Sequence, residues 1–246
     1  MTKTAAIIQA RLGSSRLPGK VLADLAGDTM LARVVQRSRA AALVDEVVVA
    51  TTTNASDDPV CAEADRLGVR WYRGSEQDVL ARYVGATHEC GADVVVRITS
   101  DCPLLDPGVV DRVVGALTRS RDYASNTHVR TYPRGLDVEA FHAGTLERIA
   151  RLATSPAAHE HVTAFVMERP ALFSIRHVVA AHADDSDLRW TVDTAEDIAL
   201  VRALYARFDL ATQITPYRAL VQAVRVNPEL AAVNSHVVQK SWNRVA

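Results

Sequence analysis

The stretch Ala5-Ala-Ile-Ile-Gln9, followed directly by Ala10-Arg-Leu-Gly-Ser-Ser-Arg-Leu-Pro-Gly-Lys20, decides how this chain is read. A run of apolar residues with two isoleucines predicts a strand buried on both faces, as in a parallel sheet. The loop after it combines Gly13 and Gly19, the hydroxyls of Ser14 and Ser15, and the cations Arg11, Arg16 and Lys20. Glycines let backbone amides approach an anion, and cations neutralise phosphate charge. Residues 1–40 carry seven Lys/Arg and two acids, although the whole chain has a formal charge of −1. The loop is not a P-loop: five residues separate Gly13 from Gly19 where four are needed, and Val21 stands where a metal-binding Ser/Thr would. Nor is it the dinucleotide fingerprint G-x-G-x-x-G. What remains is a phosphate-binding loop of another type or, more plainly, a solvated basic turn.

Outward from this stretch, Glu46–Thr51, Val69–Tyr72 and Val94–Ile98 read as further strands. Helical spacing recurs over Met30–Ala41, Pro59–Leu67 and Asp78–Cys90. Strand–helix alternation predicts an α/β fold with a doubly wound, mostly parallel sheet and ligands at the carboxyl ends of its strands. Pro107–Arg119 reads as a helix, after which the rhythm changes. Asp122–Ala140 reads as strands and loops, Ala143–Ala153 and His159–Glu168 as helices, and Phe173–Val179 as a strand. Arg189–Val192 leads into a helix over Thr194–Phe208, with Thr194 as N-cap and Glu196 and Asp197 in its first turn. Thr215–Ala246 holds one more helix and a polar tail.

A chain of 246 residues suits one α/β domain over 1–246, in which 122–165 forms an insertion and 215–246 a C-terminal helix and tail. Lys+Arg of 28 against Asp+Glu of 29 argues against a dedicated nucleic-acid or membrane-surface binder. Three scattered cysteines, Cys61, Cys90 and Cys102, suit neither a disulfide framework nor a zinc cage. With no apolar run of membrane-spanning length and no signal-type opening, a cytoplasmic location is expected.

The residues Ile7–Lys20 resemble the opening of the sugar nucleotidyltransferases that make CMP-activated sugar acids, the acylneuraminate and KDO cytidylyltransferase type. The similarity is greatest to the branch of spore coat polysaccharide biosynthesis protein F. It continues through Val47–Thr53, Tyr72–Tyr83 and Arg97-Ile-Thr-Ser-Asp-Cys-Pro-Leu-Leu-Asp106. It returns at Tyr132-Pro-Arg-Gly-Leu-Asp-Val-Glu139, Glu160-His-Val-Thr163 and Arg189-Trp-Thr-Val-Asp-Thr-Ala-Glu-Asp197. Gln9 replaces the proline of the sialic-acid and KDO enzymes, which suits the spore-coat branch. The resemblance implies a Rossmann-like nucleotide-binding fold of glycosyltransferase-A type with a small β-rich insertion. It also implies CTP-dependent transfer of CMP to a sugar, sugar acid or phosphorylated acceptor in polysaccharide biosynthesis, by direct in-line attack with release of pyrophosphate.

By that resemblance Arg11 and Lys20 hold the triphosphate, Gly13 and Ser14 contact it with the flanking Ala10 and Leu12, and Arg16 assists. Asp101 lies where an α/β sheet binds ligands, at the carboxyl end of Val94–Ile98, and Asp193 precedes the Thr194–Phe208 helix. Mg2+ prefers one or two carboxylates plus phosphate oxygens and water, so these two are its candidate ligands. Each has a capping alternative, Asp101 at the Pro103 turn and Asp193 at the helix. Arg11, Lys20 and Asp101 form the expected catalytic set. Arg73, Ser75 and Asp78 suit the base or ribose, or else build a turn and an N-cap. Arg134, Asp137 and Glu139 suit an acidic, hydroxyl-rich acceptor. His159, Glu160 and His161 add hydrogen bonds to it or form a solvated helix start. Cys102 reads as a buried small apolar residue, so no covalent intermediate is needed. One competing reading is a glycosyltransferase, whose metal motif would be Asp185-Ser-Asp187; another is a non-catalytic nucleotide-binding homologue. The loop-rich 122–165 region and the resemblance together predict a homodimer.

Overall fold

The computed structural model describes residues 2–239; the end of the expected polar tail, 240–246, lies outside them. Among the described residues seven strands form one sheet: β1 (Thr4–Gln9), β2 (Glu46–Thr52), β3 (Arg70–Gly74), β4 (Val94–Thr99), β5 (Tyr123–Ser125), β6 (Glu139–His142) and β7 (Ile175–His177). Their order is β3-β2-β1-β4-β6-β5-β7. The first four strands run parallel, β6 is antiparallel to β4 and β5, and β7 is parallel to β5. The sheet is thus α/β and mostly parallel, as the apolar strand runs predict. The segment expected as an insertion adds β5 and β6 to this same sheet.

Strand residues alternate between two cores. Ala6, Ile8, Val47, Val49, Val96 and Ile98 face one apolar cluster. On that side pack α1 (Met30–Arg39), α2 (Asp58–Arg66), α4 (Pro107–Ala116), α8 (Ala195–Phe208) and α9 (Tyr217–Val226). Ala5, Ile7, Val48, Ala50 and Val95 face the other, under α3 (Val79–Cys90), α5 (Ala143–Leu152), α6 (Pro156–His161) and α7 (Ala164–Glu168). Each fully buried Val, Leu, Ile or Phe contributes about 1.5–3 kcal/mol, so two covered faces suffice to hold the parallel ladder.

The structure departs from the sequence expectations at element ends. The third strand starts at Arg70 rather than Val69, because the Val69 amide donates to Ala64 O and still closes α2. The helix expected over His159–Glu168 is two short helices, broken where Val162 adopts φ 57°. At that break Thr163 Oγ1 donates to the buried Glu139 carboxylate at 2.7 Å, a tertiary bond outside the reach of local periodicity. Arg189–Val192 joins no strand; it meets the 134 loop through a single bridge, Arg134 to Arg189. The C-terminal segment carries a second short helix, α10 (Pro228–Ala232), after α9. Asp57, just before α2, accepts from the Leu12 amide at 2.7 Å and from Thr52 Oγ1.

Candidate active site

The order of strands reverses between β1 and β4, the point at which open α/β sheets place their ligand crevice. Tyr83, fully buried on α3, donates to both Ile7 O and Ile98 O at 3.2 Å and so ties the two strands together under this crevice. Above it runs the glycine-containing loop. Its first turn is pinned by the bond from the Leu12 amide to Asp57, and Leu12 O accepts from the amides of Ser14 and Gly19. Gly19 has φ 70°, a conformation that favours glycine, and directs the next residue, Lys20, inward.

Lys20 is 8% exposed, and its ammonium donates to Asp101 Oδ2 at 3.0 Å, Asp193 Oδ1 at 2.8 Å and Val192 O at 2.7 Å. All three of its hydrogens are therefore used. Burial alone would lower the Lys20 pKa; Asp101 and Asp193 outweigh it and raise it above the usual lysine value. Burial would likewise raise the Asp193 carboxyl, but Lys20, Arg189 and Arg16 hold it below the ordinary carboxylate range. Arg16 reaches Asp193 Oδ2 at 2.8 Å and Arg189 reaches it at 2.9 Å. Asp101 Oδ1 accepts from Thr99 Oγ1 at 2.6 Å. The capping alternatives do not describe these carboxylates. Thr194 and Asp197 form the capping box of α8, while Asp193 points at Lys20.

On the β2–β3 side, Arg11 pairs with Glu76 at 2.8 Å. A cleft of about 690 Å³ opens there, lined by Arg11, Glu76, Gln77, Asp78, His159 and Glu160 among others. Arg73 is committed elsewhere: Nε donates to Thr52 O, Nη1 to Asp58 and Nη2 to Asn54 O, each at 2.7 Å. Ser75 Oγ accepts from the Asp78 amide, and Asp78 caps α3 through the Ala81 amide. Asp78 also meets His159 at 2.9 Å, which places His159 and Glu160 beside the Arg11 cleft rather than beside Arg134.

On the opposite side, Gly135 has φ 106°, and a Cβ there would fall 2.5 Å from Thr191 N. This close approach lets Arg134 O accept from the Trp190 and Thr191 amides, bringing the 134 loop against the segment that carries Asp193. Asp137 is gripped by both terminal nitrogens of Arg130, at 2.6 and 2.8 Å. Arg134, half-buried, makes no side-chain hydrogen bond or ion pair among the described residues. Burial and the nearby charge of Arg130 lower its pKa. Glu139 is enclosed by Arg97, Tyr123 and Thr163, with His128 at 3.9 Å, which makes it the centre of a buried network. His161 lies half-buried at the end of α6, and burial lowers its imidazole pKa.

A family model described as cytidylyltransferase matches residues 5–225. Spore coat polysaccharide biosynthesis protein SpsF of Bacillus subtilis is 34% identical over 92% of this chain and 95% of its own. A 3-deoxy-manno-octulosonate cytidylyltransferase of Geobacter sulfurreducens is 36% identical over 47% of this chain and 45% of its own. The solved structure of a cytidylyltransferase from Leptospira borgpetersenii superposes with a TM-score of 0.89 at 30% identity, covering 98% of this chain and 100% of that one. The chain belongs to the cytidylyltransferase family.

Two competing features of this cytidylyltransferase find structural roles. Asp185 and Asp187, the Asp-x-Asp of the glycosyltransferase reading, both pair with Arg225, at 3.0 and 2.6 Å. Cys102 is 2% exposed, and burial together with Asp101 and Asp137 pushes its thiol well up, so it stays protonated. No helix among the described residues is long and apolar enough to cross a membrane.

Sequence reasoning missed Arg189 and Asp197 as the support of Asp193. It also missed Arg82, which is 3% exposed on α3. The signal for Arg82 was present: an arginine among Val79, Leu80, Tyr83 and Ala86, on the apolar face of a helix.

Proposed function

We propose that the enzyme transfers CMP from CTP to a sugar-like acceptor bearing an anionic group, with Lys20, Arg11 and Arg16 on the triphosphate. The observation that carries this is the meeting of Lys20, Asp101 and Asp193 at the strand-order reversal. The acceptor oxygen attacks the α-phosphorus, the bond to the β-phosphate breaks, and pyrophosphate leaves. Arg11 and Lys20 neutralise the phosphate oxygens, with Gly13 and Ser14 of the loop alongside. The donor set suits a divalent ion: Asp101 and Asp193 are two hard carboxylates brought to one cation, and phosphate oxygens and water complete the shell that magnesium favours. When bound, Mg2+ supplies further charge neutralisation on the triphosphate. Arg134, a half-buried cation without a counter-ion among the described residues, is assigned to the anionic group of the acceptor, and Asp137 to its hydroxyls. The SpsF and octulosonate relatives support an acceptor of the sugar class and a place in polysaccharide biosynthesis.

One domain carries this reaction, and three free, buried cysteines suit the reducing cytoplasm, where CTP is supplied. The enzyme acts as a homodimer through the 122–165 region, in which Val129 and Leu152 are exposed. Light scattering at micromolar concentration is expected to give twice the chain mass of 26.7 kDa; the single mass would remove this assignment.

Melting curves with CTP, UTP, GTP, ATP and dTTP, each with magnesium and again with EDTA, test the reaction class without knowledge of the acceptor. At a hundred times Kd, CTP with magnesium contributes about 2.7 kcal/mol, a rise of about 5–10 °C for a chain this size. EDTA is expected to abolish most of that rise. A shift with another triphosphate alone would overturn the cytidine assignment, and no shift with any would overturn the reaction.

A further inference from the structure

Arg82 is the feature of this site that its other contacts leave unexplained. The residue is 3% exposed, yet Nε and Nη1 are both buried without a hydrogen-bond partner among the described residues. The other buried arginines donate: Arg33 to Leu25 O and Ala26 O, Arg37 to Tyr205 and Leu105 O, and Arg189 to Asp193 and Asp197. Nε and Nη1 belong to different N–H edges of the guanidinium, so each edge carries an orphaned donor. An unsatisfied buried donor costs about 1–3 kcal/mol, and a methionine of similar length would avoid that cost. Burial lowers the Arg82 pKa and Arg11 lowers it further, against the weaker pull of Asp57 and Glu76.

The placement of Arg82 shows what could satisfy it. A Cβ on Gly74, the last residue of β3, would lie 3.1 Å from Cβ and Cγ of Arg82. The arginine stem is therefore packed at the carboxyl edge of the sheet, and its head lies in the electrostatic field of Arg11, Asp57 and Glu76. Asp57 is occupied by the Leu12 amide and Thr52. Glu76, which lines the cleft, accepts one bond on each oxygen, from Arg11 and from Asn54, so each oxygen has capacity for a further bond. A phosphate would meet the negative charge of Glu76 here, whereas Lys20 and Arg16 offer it cations on the other side of the loop. A neutral group with two adjacent acceptors and one donor fits the pair better. The Watson–Crick edge of cytosine presents that pattern, with O2 and N3 accepting and the N4 amine donating. Uracil presents N3–H to the arginine and O4 to the carboxylate, two mismatches.

We propose that Arg82, with Glu76 as acceptor for the exocyclic amine, reads the cytosine base and sets the preference for CTP over UTP. This rests on the cytidylyl-transfer reading above. The role belongs to Arg82 rather than to Arg73, whose three nitrogens are already spent on Thr52 O, Asp58 and Asn54 O.

Titration calorimetry with CTP and with UTP, in magnesium, on the wild type, Arg82→Met and Arg82→Lys tests the proposal. The wild type is expected to favour CTP. Arg82→Met should weaken CTP about 10- to 100-fold and leave UTP nearly unchanged, since a good bidentate base contact is worth about that discrimination. Arg82→Lys, which keeps the charge and loses the fork, should fall between. The melting temperature of unliganded Arg82→Met should hold or rise, because orphaned donors are removed; a merely structural arginine would instead lower it. A CTP/UTP ratio retained in Arg82→Met, or equal weakening of both nucleotides, overturns the assignment. If Arg82→Met does not fold, a ratio retained in Arg82→Lys overturns it equally. Failure of the wild type to favour CTP would show first and separately, and would remove the reading on which the proposal rests.

Discussion

Replacing Lys20 with methionine is expected to lower turnover by about 10²–10³-fold, the loss typical of removing one charge-stabilising donor from a reaction centre. It should also lower the melting temperature. In the native protein Asp101 and Asp193 stand 3.0 and 2.8 Å from the same ammonium. Without it two largely buried carboxylates face each other. Breaking a buried ion pair from one side costs roughly 3–5 kcal/mol. Arg16 and Arg189 still neutralise Asp193, so the lower figure applies, about 3 kcal/mol or 6–12 °C in a chain of this length. Magnesium should raise the melting temperature of Lys20→Met more than that of the wild type, because the ion then takes the place of the missing charge between the carboxylates. Pyrophosphate release and calorimetric melting, with and without magnesium, check each part. Turnover lost with no change in melting would show that Lys20 is not the link that holds the two aspartates together.

Asp197→Asn is expected to be the most destabilising single-atom exchange near the site. Asp197 is fully buried and accepts from Arg189 Nε and Nη2 at 2.9 Å, from the amides of Asp193 and Thr194 at 2.9 and 3.1 Å, and from Asn234 at 2.8 Å. An asparagine offers one acceptor oxygen and turns an NH2 toward the remaining donors. The Arg189 charge is then left partly uncompensated in the interior, at a cost of about 3–5 kcal/mol. Burial would raise the Asp197 carboxyl, but Arg189, the Asp193 amide and Asn234 outweigh it and hold it below its ordinary value of 3.8. Its native pKa lies below its unfolded one, so its stabilisation is complete above about pH 4–5 and is lost as pH falls through the native value. The wild type should therefore lose stability steeply below pH 4, and Asp197→Asn should start lower and lack that part of the slope. Because the Asp193 amide bonds to Asp197, the variant should also show a smaller melting shift with CTP and magnesium. A parallel pH dependence in both proteins would assign the acid sensitivity to other carboxylates.

Much of the frame was legible in the chain. The runs Ala5–Ile8, Val47–Ala50 and Val94–Val96 are apolar without interruption because both sheet faces are covered, and a parallel strand needs that whatever else surrounds it. The Thr194 cap is a bond between neighbours, readable from four consecutive residues. Composition marked the Gly13–Gly19 loop as basic and glycine-containing, and left a phosphate site and a solvated turn both open. Less legible were the positions where a side chain's partner is distant. Arg73, Ser75 and Asp78 read equally as base contacts or as a turn, and their bonds to Thr52 O, Asp58 and the α3 amides are those of a turn. Val162 breaks a helix that its periodicity continues, at a point where Thr163 bonds to Glu139, 24 residues away.

Sequence alone determined the α/β class, the covered parallel sheet, and the basic glycine loop at the end of the first strand, because apolar periodicity and capping act between near neighbours. Only tertiary structure decided which charges meet. Lys20 finds Asp193 at a separation of 173 residues; among the described residues, Arg134 lies unpaired beside the Trp190 backbone and Arg82 is buried with no partner for two of its nitrogens. Those relations depend on how the β1 and β4 loops and the 134 and 190 segments converge over the sheet, and no spacing along the chain encodes a distance across it.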